Sequence, residues 1–133
     1  MKISFVNGCF DVLHPGHIEL LKYARSLSDY LIVAVDSDRR VAEMKGPKRP
    51  VFSQHDRSTM LSSIRYVDIV HVFDTEKELE DLLESILPDI MVVGSDWKGK
   101  KVVGSQYAKA VRFFNRLGDY STTQTIQGIT YRR

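Results

Sequence analysis

The sequence has little of several features that mark special classes of protein. Its single cysteine, Cys9, cannot form an internal disulfide, so a reducing compartment is expected. No apolar run approaches the roughly 20 residues of a membrane span. The chain opens directly on a predicted strand, which leaves no room for a signal peptide. The net charge of +2 is too small to argue for nucleic acid or membrane binding, and we expect neither partner. We therefore expect a cytoplasmic protein.

Length and composition indicate one ordinary globular domain. A chain of 133 residues can bury one hydrophobic core but not two. Its content of 43% hydrophobic and 27% charged residues is usual for a globular protein, and no repeat or low-complexity segment interrupts it. The G-x-G-x-x-G pattern of dinucleotide-binding folds is missing, which argues against hydride transfer.

Short apolar runs alternate with amphipathic ones along the chain. The predicted strands are 3–6, 30–35, 67–73, 90–93 and 111–114. The predicted helices are 16–28, 53–64, 76–87, a short one over 105–110, and a last one that begins at Ser121 or Thr122. Strands that alternate with helices form right-handed crossovers. The predicted fold class is therefore α/β, with a parallel sheet of about five strands and helices on both faces.

The most informative stretch is Asn-Gly-Cys-Phe-Asp-Val-Leu-His-Pro-Gly-His, between the first strand and the first helix. Gly8 and Gly16 allow the backbone to approach a ligand closely. The helix start offers free N–H groups and a positive dipole end to a phosphate. His14 and His17, three residues apart, would lie on one side of that start. Donors of this kind suit phosphoryl or nucleotidyl transfer. The alternative, two surface histidines in a loop, does not explain the glycines around them.

Two later loops follow the carboxyl ends of predicted strands, where open α/β sheets bind ligands. In Asp36-Ser37-Asp38, the second and third residues fit a helix N-cap better than a ligand site. Gly94-Ser95-Asp96 follows the fourth strand and is expected to face the site. Trp97 belongs either to the core or to the wall of a substrate pocket.

The basic segment, residues 45–51, has the sequence Lys-Gly-Pro-Lys-Arg-Pro-Val and must be a loop. Its cations, Lys45, Lys48 and Arg49, are either a solvated surface run or a clamp on the β- and γ-phosphates of a nucleotide. The phosphate site inferred at the first helix favours the clamp.

Gly8-Cys9-Phe10-Asp11 together with His14-Pro15-Gly16-His17 resembles the signature of the cytidylyltransferase-like nucleotidyltransferase superfamily. The resemblance covers nearly the whole chain. It implies a Rossmann-like three-layer sandwich that moves a nucleoside monophosphate from a nucleoside triphosphate to a phosphorylated acceptor. It also implies Mg²⁺ held mainly by phosphates, with Asp11 as the nearest carboxylate, and a homodimer.

The resemblance assigns a role to each matching residue. The expected catalytic residues are His14, His17, Lys45 and Arg116. The expected nucleotide-binding residues are Gly8, Cys9, Phe10, Asp11, Gly16, Lys48, Gly94, Asp96, Ser121, Thr122 and Thr123. The expected acceptor-binding residues are Asp36, Arg57 and Trp97.

Marks of two subfamilies are present. Those of glycerol-3-phosphate cytidylyltransferase, which uses CTP, are residues 64–68, residues 96–100, and Arg116 five residues before Ser121. Those of heptose-1-phosphate adenylyltransferase, which uses ATP, are residues 45–51 with Arg57, residues 87–89 and residues 101–105. Val93 stands where the adenylyltransferase usually has lysine, so CTP is expected and ATP is the alternative. A non-catalytic nucleotide-binding module is less favoured, because it needs neither both histidines nor the basic segment.

Overall fold

The computed structural model describes residues 1–115. The strands are β1 (Ile3–Gly8), β2 (Tyr30–Asp36), β3 (Ile69–Phe73), β4 (Ile90–Gly94) and β5 (Ala110–Phe114). The helices are α1 (Pro15–Ser26), α2 (Asp38–Lys45), α3 (Gln54–Ser62) and α4 (Glu76–Ile86), and single 3₁₀ turns lie at Ser95–Trp97 and Ser105–Tyr107. The predicted strands and the three long predicted helices are confirmed to within about two residues, the usual uncertainty of element ends. In place of the helix predicted over 105–110, the structure has only the 3₁₀ turn Ser105–Tyr107. Ala110 is already the first residue of β5.

The strands form one parallel sheet in the order β3-β2-β1-β4-β5. β1 is central, with Ile3 opposite Tyr30 of β2 and Ser4 opposite Ile90 of β4. The chain builds outward from β1 to β3 and then returns to place β4 on the other side of β1. Such a reversal opens a crevice at the carboxyl ends of the two central strands, where α/β sheets bind ligands.

Successive residues of the central strands enter two separate cores, one on each face of the sheet. One core holds Val6, Leu31, Val33, Val35, Ile90 and Val92 with Leu21 and Ala24 of α1 and Leu61 of α3. The other holds Phe5, Ile32, Ala34 and Met91 with Leu79 and Leu83 of α4. Burial on both faces explains why these strands are continuous apolar runs. The predicted three-layer α/β fold is therefore confirmed.

Hydroxyl groups cap three of the helices. Ser37 accepts the N–H of Arg40 at the start of α2, and Ser53 accepts that of Asp56 at the start of α3. Thr75 caps α4 in the same way. The predicted caps Ser37 and Ser53 are confirmed. Within residues 1–115, no helix combines the length and apolarity needed to cross a bilayer.

Candidate active site

Two histidines cap the start of α1. His14 is the N-cap residue, and its Nδ1 accepts the N–H of Gly16 at 3.1 Å. The Nδ1 of His17 accepts the N–H of His14, also at 3.1 Å. This is a reciprocal capping box in which imidazoles replace the usual hydroxyl and carboxylate. The rings stack with their centroids 3.8 Å apart, which confirms that both lie on one side of the helix start.

These two bonds assign the ring protons. A nitrogen that accepts an N–H must keep its lone pair, so a neutral ring held in this way carries its proton on Nε2. His14 and His17 therefore each present an Nε2–H donor. The helix N-terminus beside them already favours an anion. The arrangement is suited to oxygens on which negative charge increases during transfer at phosphorus.

The motif loop, residues 9–14, has a strained backbone. Phe10 and Val12 both have φ of +52°, a left-handed conformation that is especially unfavourable for a β-branched residue. The Phe10 ring is buried, and a Cβ on Gly8 would lie 3.2 Å from it. It also packs 5.5 Å from the His17 ring, between centroids. Phe10 turns its ring to the core, where it supports His17, and its expected contact with the nucleotide stays a prediction.

Asp11 fastens the basic segment to the motif loop. Its carboxylate is fully buried and accepts the backbone N–H groups of Val51 at 2.8 Å and Phe52 at 3.0 Å. It also accepts the Nε–H of Arg49 at 3.1 Å. A carboxylate held by a cation and two amides is a poor ligand for Mg²⁺, which requires oxygens arranged in octahedral geometry. Asp11 is therefore an anchor for the loop, and the role expected for it at the metal is not supported.

Arg57 is buried to 1% exposure at the start of α3. Its Nε–H donates to the carbonyl oxygen of Phe52, and its Nη1 donates to those of Cys9 and Asp36. Its Nη2 donates to the carboxylate of Asp38 at 2.9 Å. The side chain thus joins the ends of β1 and β2 to α2 and α3. The expected contact with an acceptor phosphate is not supported, because protein oxygens already occupy the guanidinium.

Cys9 and Asp36 lie together where β1 and β2 end. Burial, and next the Asp36 carboxylate, raise the pKa of the Cys9 thiol, while Lys45 and Arg57 act in the opposite direction. Cys9 is therefore a neutral thiol at physiological pH. The Asp36 carboxylate accepts the Nε–H of Arg40 at 2.6 Å and is nearly buried. Its expected contact with the acceptor stays a prediction.

The carboxyl end of β4 forms the other side of the crevice. A Cβ on Gly94 would lie 2.7 Å from Oδ1 of Asp96, so any other residue here would require this exposed carboxylate to move. Trp97 is 47% exposed, which excludes the core interpretation, and its expected place in the wall of an acceptor pocket stays a prediction. Lys45 and Lys48 are exposed on the basic segment. Arg116, Ser121, Thr122 and Thr123, also expected at the site, lie outside the described residues.

The structure thus brings the predicted loops to one edge of the sheet, but it gives Asp11 and Arg57 structural roles that differ from the expected ones. The sequence did not reveal that Asp11 and Arg57 hold the basic segment against the motif loop, since nothing in the chain pairs residue 11 with residues 49–52. Within residues 1–115, no group of three or more histidine, cysteine or acidic side chains could hold a metal ion. The Mg²⁺ ion implied by the resemblance stays a prediction.

Comparison with known proteins agrees with this geometry. The profile of the family described as cytidylyltransferase-like matches residues 5–126. The bifunctional protein HldE of Campylobacter fetus subsp. fetus is 46% identical over 125 residues, and that of Helicobacter pylori Shi470 is 43% identical over 128 residues. These matches cover 94% and 96% of this chain but only 27% of each relative. The chain therefore spans little more than a quarter of the length of these relatives.

Solved structures show the same architecture. A lipopolysaccharide core biosynthesis protein of Thermoplasma volcanium superposes with a TM-score of 0.67 at 28% identity, covering 91% of this chain and 99% of that one. Pantothenate synthetase of Thermus thermophilus superposes with a TM-score of 0.61 at 15% identity, covering 99% of this chain and 67% of that one. The second likeness concerns the fold alone.

Proposed function

The chain belongs to the cytidylyltransferase-like family of nucleotidyltransferases, and from this premise we propose that it transfers an adenylyl group from ATP to a heptose 1-phosphate. The observation that carries the proposed reaction is the stacked histidine pair at the start of α1, with both Nδ1 atoms held by backbone N–H groups. These bonds leave the proton on Nε2, where it can stabilise phosphate oxygens.

The choice of ATP reverses the expectation from sequence. Relatives named HldE, at 43% and 46% identity, agree with the adenylyltransferase marks in the basic segment and in residues 87–89 and 101–105. The likeness to a lipopolysaccharide core biosynthesis protein also supports a sugar phosphate as acceptor. Transfer from CTP to glycerol 3-phosphate is the second candidate, supported by residues 64–68 and 96–100.

In the proposed reaction, a phosphate oxygen of the acceptor attacks the α-phosphorus of ATP in line. A new P–O bond forms, the bond from the α-phosphorus to the bridging oxygen breaks, and pyrophosphate leaves with that electron pair. The nucleophile is already an anion, so no general base is needed. Positioning and charge stabilisation provide the catalysis.

Each part of the site has a place in this scheme. His14 and His17 donate Nε2–H bonds to α- and β-phosphate oxygens, and the backbone at Gly8 and Cys9 lies against the nucleotide. Lys45, the last residue of α2, and Lys48 are exposed on the basic segment and would bind the leaving pyrophosphate. Mg²⁺ supplies further neutralisation of phosphate charge when it is bound.

The test is pyrophosphate release in a two-by-two grid of ATP or CTP with a heptose 1-phosphate or glycerol 3-phosphate, in the presence of Mg²⁺. Release with ATP and the heptose phosphate, dependent on that acceptor, is the expected result. Release only with CTP and glycerol 3-phosphate would favour the second candidate. Binding of triphosphates without turnover on either acceptor would favour the non-catalytic module.

Replacing His17 by alanine should lower turnover about 10²- to 10³-fold, the effect of losing one charge-stabilising donor. His71→Ala is the matched control, because this exposed histidine lies in β3 at the sheet edge. Near-full activity of His17→Ala would contradict the role given to the pair.

A homodimer remains a prediction.

A further inference from the structure

Two arginines, Arg49 in the basic segment and Arg57 in α3, contact the motif loop. They differ in how completely their side-chain nitrogens are hydrogen-bonded. Arg57 donates to three carbonyl oxygens and one carboxylate, using each of its three nitrogens. Its function as a connector is complete without any ligand. It therefore provides an internal standard for a purely structural arginine in this part of the molecule.

Arg49 is also largely buried, but its side chain makes fewer hydrogen bonds and is not satisfied. Its Nε–H donates to Asp11 at 3.1 Å, and its backbone N–H donates to the carbonyl oxygen of Gly46 at 3.1 Å. The side chain is only 12% exposed. Its Nη2 is buried and has no hydrogen-bond partner among residues 1–115. A buried donor without an acceptor is costly, more so when it is charged, and such groups call for an explanation.

The local charge indicates what kind of acceptor is missing. The Asp11 carboxylate divides its oxygens between Arg49 and the backbone N–H groups of Val51 and Phe52. The basic segment contributes three cations against this single anion, since Lys45 and Lys48 lie on it as well. The net charge beside the motif loop is therefore positive, and a guanidinium nitrogen in such a place suits an anionic oxygen.

We propose that Arg49 binds a phosphate oxygen of a substrate through Nη2, while Asp11 holds its Nε side in place. The inference rests on the proposed function and makes it more specific: Arg49 is the buried phosphate ligand of the basic segment, and Lys45 and Lys48 are its exposed cations. The phosphate-binding role expected for Arg57 passes to Arg49. The oxygen belongs either to the β- or γ-phosphate of the nucleotide or to the acceptor.

Arg49→Gln removes the charge and the fork, and two measurements distinguish the two sources. Calorimetric binding of ATP and CTP, each compared with its monophosphate, reports on the β- and γ-phosphates. Calorimetric binding of the heptose 1-phosphate and of glycerol 3-phosphate reports on the acceptor phosphate. We expect a loss of about 10- to 100-fold in one of the two, the range for a hydrogen bond to a charged group, with monophosphate binding unchanged.

Two further variants keep the test decisive. Arg39→Gln is the matched control, because Arg39 is exposed on α2 and its contacts with Glu43 and Asp74 lie at the surface. Arg49→Lys retains a cation beside Asp11, so this variant should stay folded even if Arg49→Gln does not. Its loss of phosphate binding should lie between those of the wild type and Arg49→Gln. Melting curves of all the variants show whether the fold is intact.

The inference is overturned if Arg49→Gln and Arg49→Lys bind triphosphate and acceptor as tightly as the wild type. It is also overturned if monophosphate binding falls as much as triphosphate binding, since that would indicate general damage. The binding measurement needs no turnover. A wild-type protein that binds triphosphate but transfers nothing would therefore refute the proposed function and still decide the role of Arg49.

Discussion

Replacing His14 by asparagine separates two roles that the structure gives to one side chain. The Nδ1 of His14 caps α1 by accepting the N–H of Gly16 at 3.1 Å. Its Nε2–H is the proposed donor to a phosphate oxygen. The asparagine side chain places an oxygen close to the position of Nδ1 and is among the best N-cap residues. It has no atom at the position of Nε2. Alanine lacks both groups.

His14→Asn and His14→Ala should therefore differ from each other in stability but not in activity. Loss of a capping side chain costs about 1 kcal/mol, which for a domain of this size lowers Tm by roughly 3 to 5 °C. His14→Ala should show this loss, and His14→Asn should melt within about 1 °C of the wild type. Both should lose about 10²- to 10³-fold in kcat, the effect of removing one preorganised donor.

The assays are thermal unfolding by circular dichroism and pyrophosphate release at saturating substrates, with His71→Asn as a control for the histidine-to-asparagine change. If His14→Asn kept more than about a tenth of the wild-type kcat, the reasoning about Nε2 would be refuted, because one lost donor should cost far more. If it melted like His14→Ala, the capping role of Nδ1 would be refuted instead.

Three further predictions concern stability and reactivity. Arg57→Ala should lower the free energy of unfolding by more than about 3 kcal/mol, because buried carbonyl oxygens lose their donor. Urea titration measures this change, and a loss under about 1 kcal/mol would contradict the role of Arg57 as a connector. Burial and Asp36 raise the pKa of the Cys9 thiol. Its alkylation by iodoacetamide in the native protein should therefore accelerate only at pH values above those at which ordinary thiols ionise. Rapid alkylation at pH 7 would contradict the raised pKa. The N–H of Ile3 lowers the pKa of Asp89, so its contribution to stability is complete above about pH 4 and is lost as pH falls through the lowered pKa. Unfolding of Asp89→Asn should therefore depend less on pH between about 7 and 3 than unfolding of the wild type, and equal dependence would count against the effect.

The fold could be predicted because its signal is local. β2 reads Tyr-Leu-Ile-Val-Ala-Val-Asp, and a continuous apolar run of this length is typical of a strand buried on both faces. The serines at positions 37 and 53 stand at the starts of α2 and α3, where serine is favoured. The helix predicted over 105–110 was reduced to one turn because Ala110 pairs with Ile90 in the sheet, a tertiary effect that outweighs local preference.

The candidate site was only partly accessible from the sequence. The histidine pair and the glycines were found because their spacing is short. The capping role of the two imidazoles was missed, since histidine is not a usual N-cap residue. The role of Arg57 was missed for another reason: its acceptors lie on Cys9, Asp36 and Phe52, and only the folded chain brings these oxygens together.

The central position of β1 has a consequence for how the protein is made. β1 is synthesised before the other strands of the sheet and can pair with β2 soon afterwards. Its other edge must wait for β4, and the N–H of Ile3 finds its partner, Asp89, only after 86 further residues. Contacts of such long range form slowly, and until then β1 exposes an unpaired strand edge, which other chains can recognise. The crevice needs one wall from each strand. The capacity to bind a ligand therefore appears late, and a cellular nucleotide would stabilise finished molecules while leaving incomplete ones unprotected.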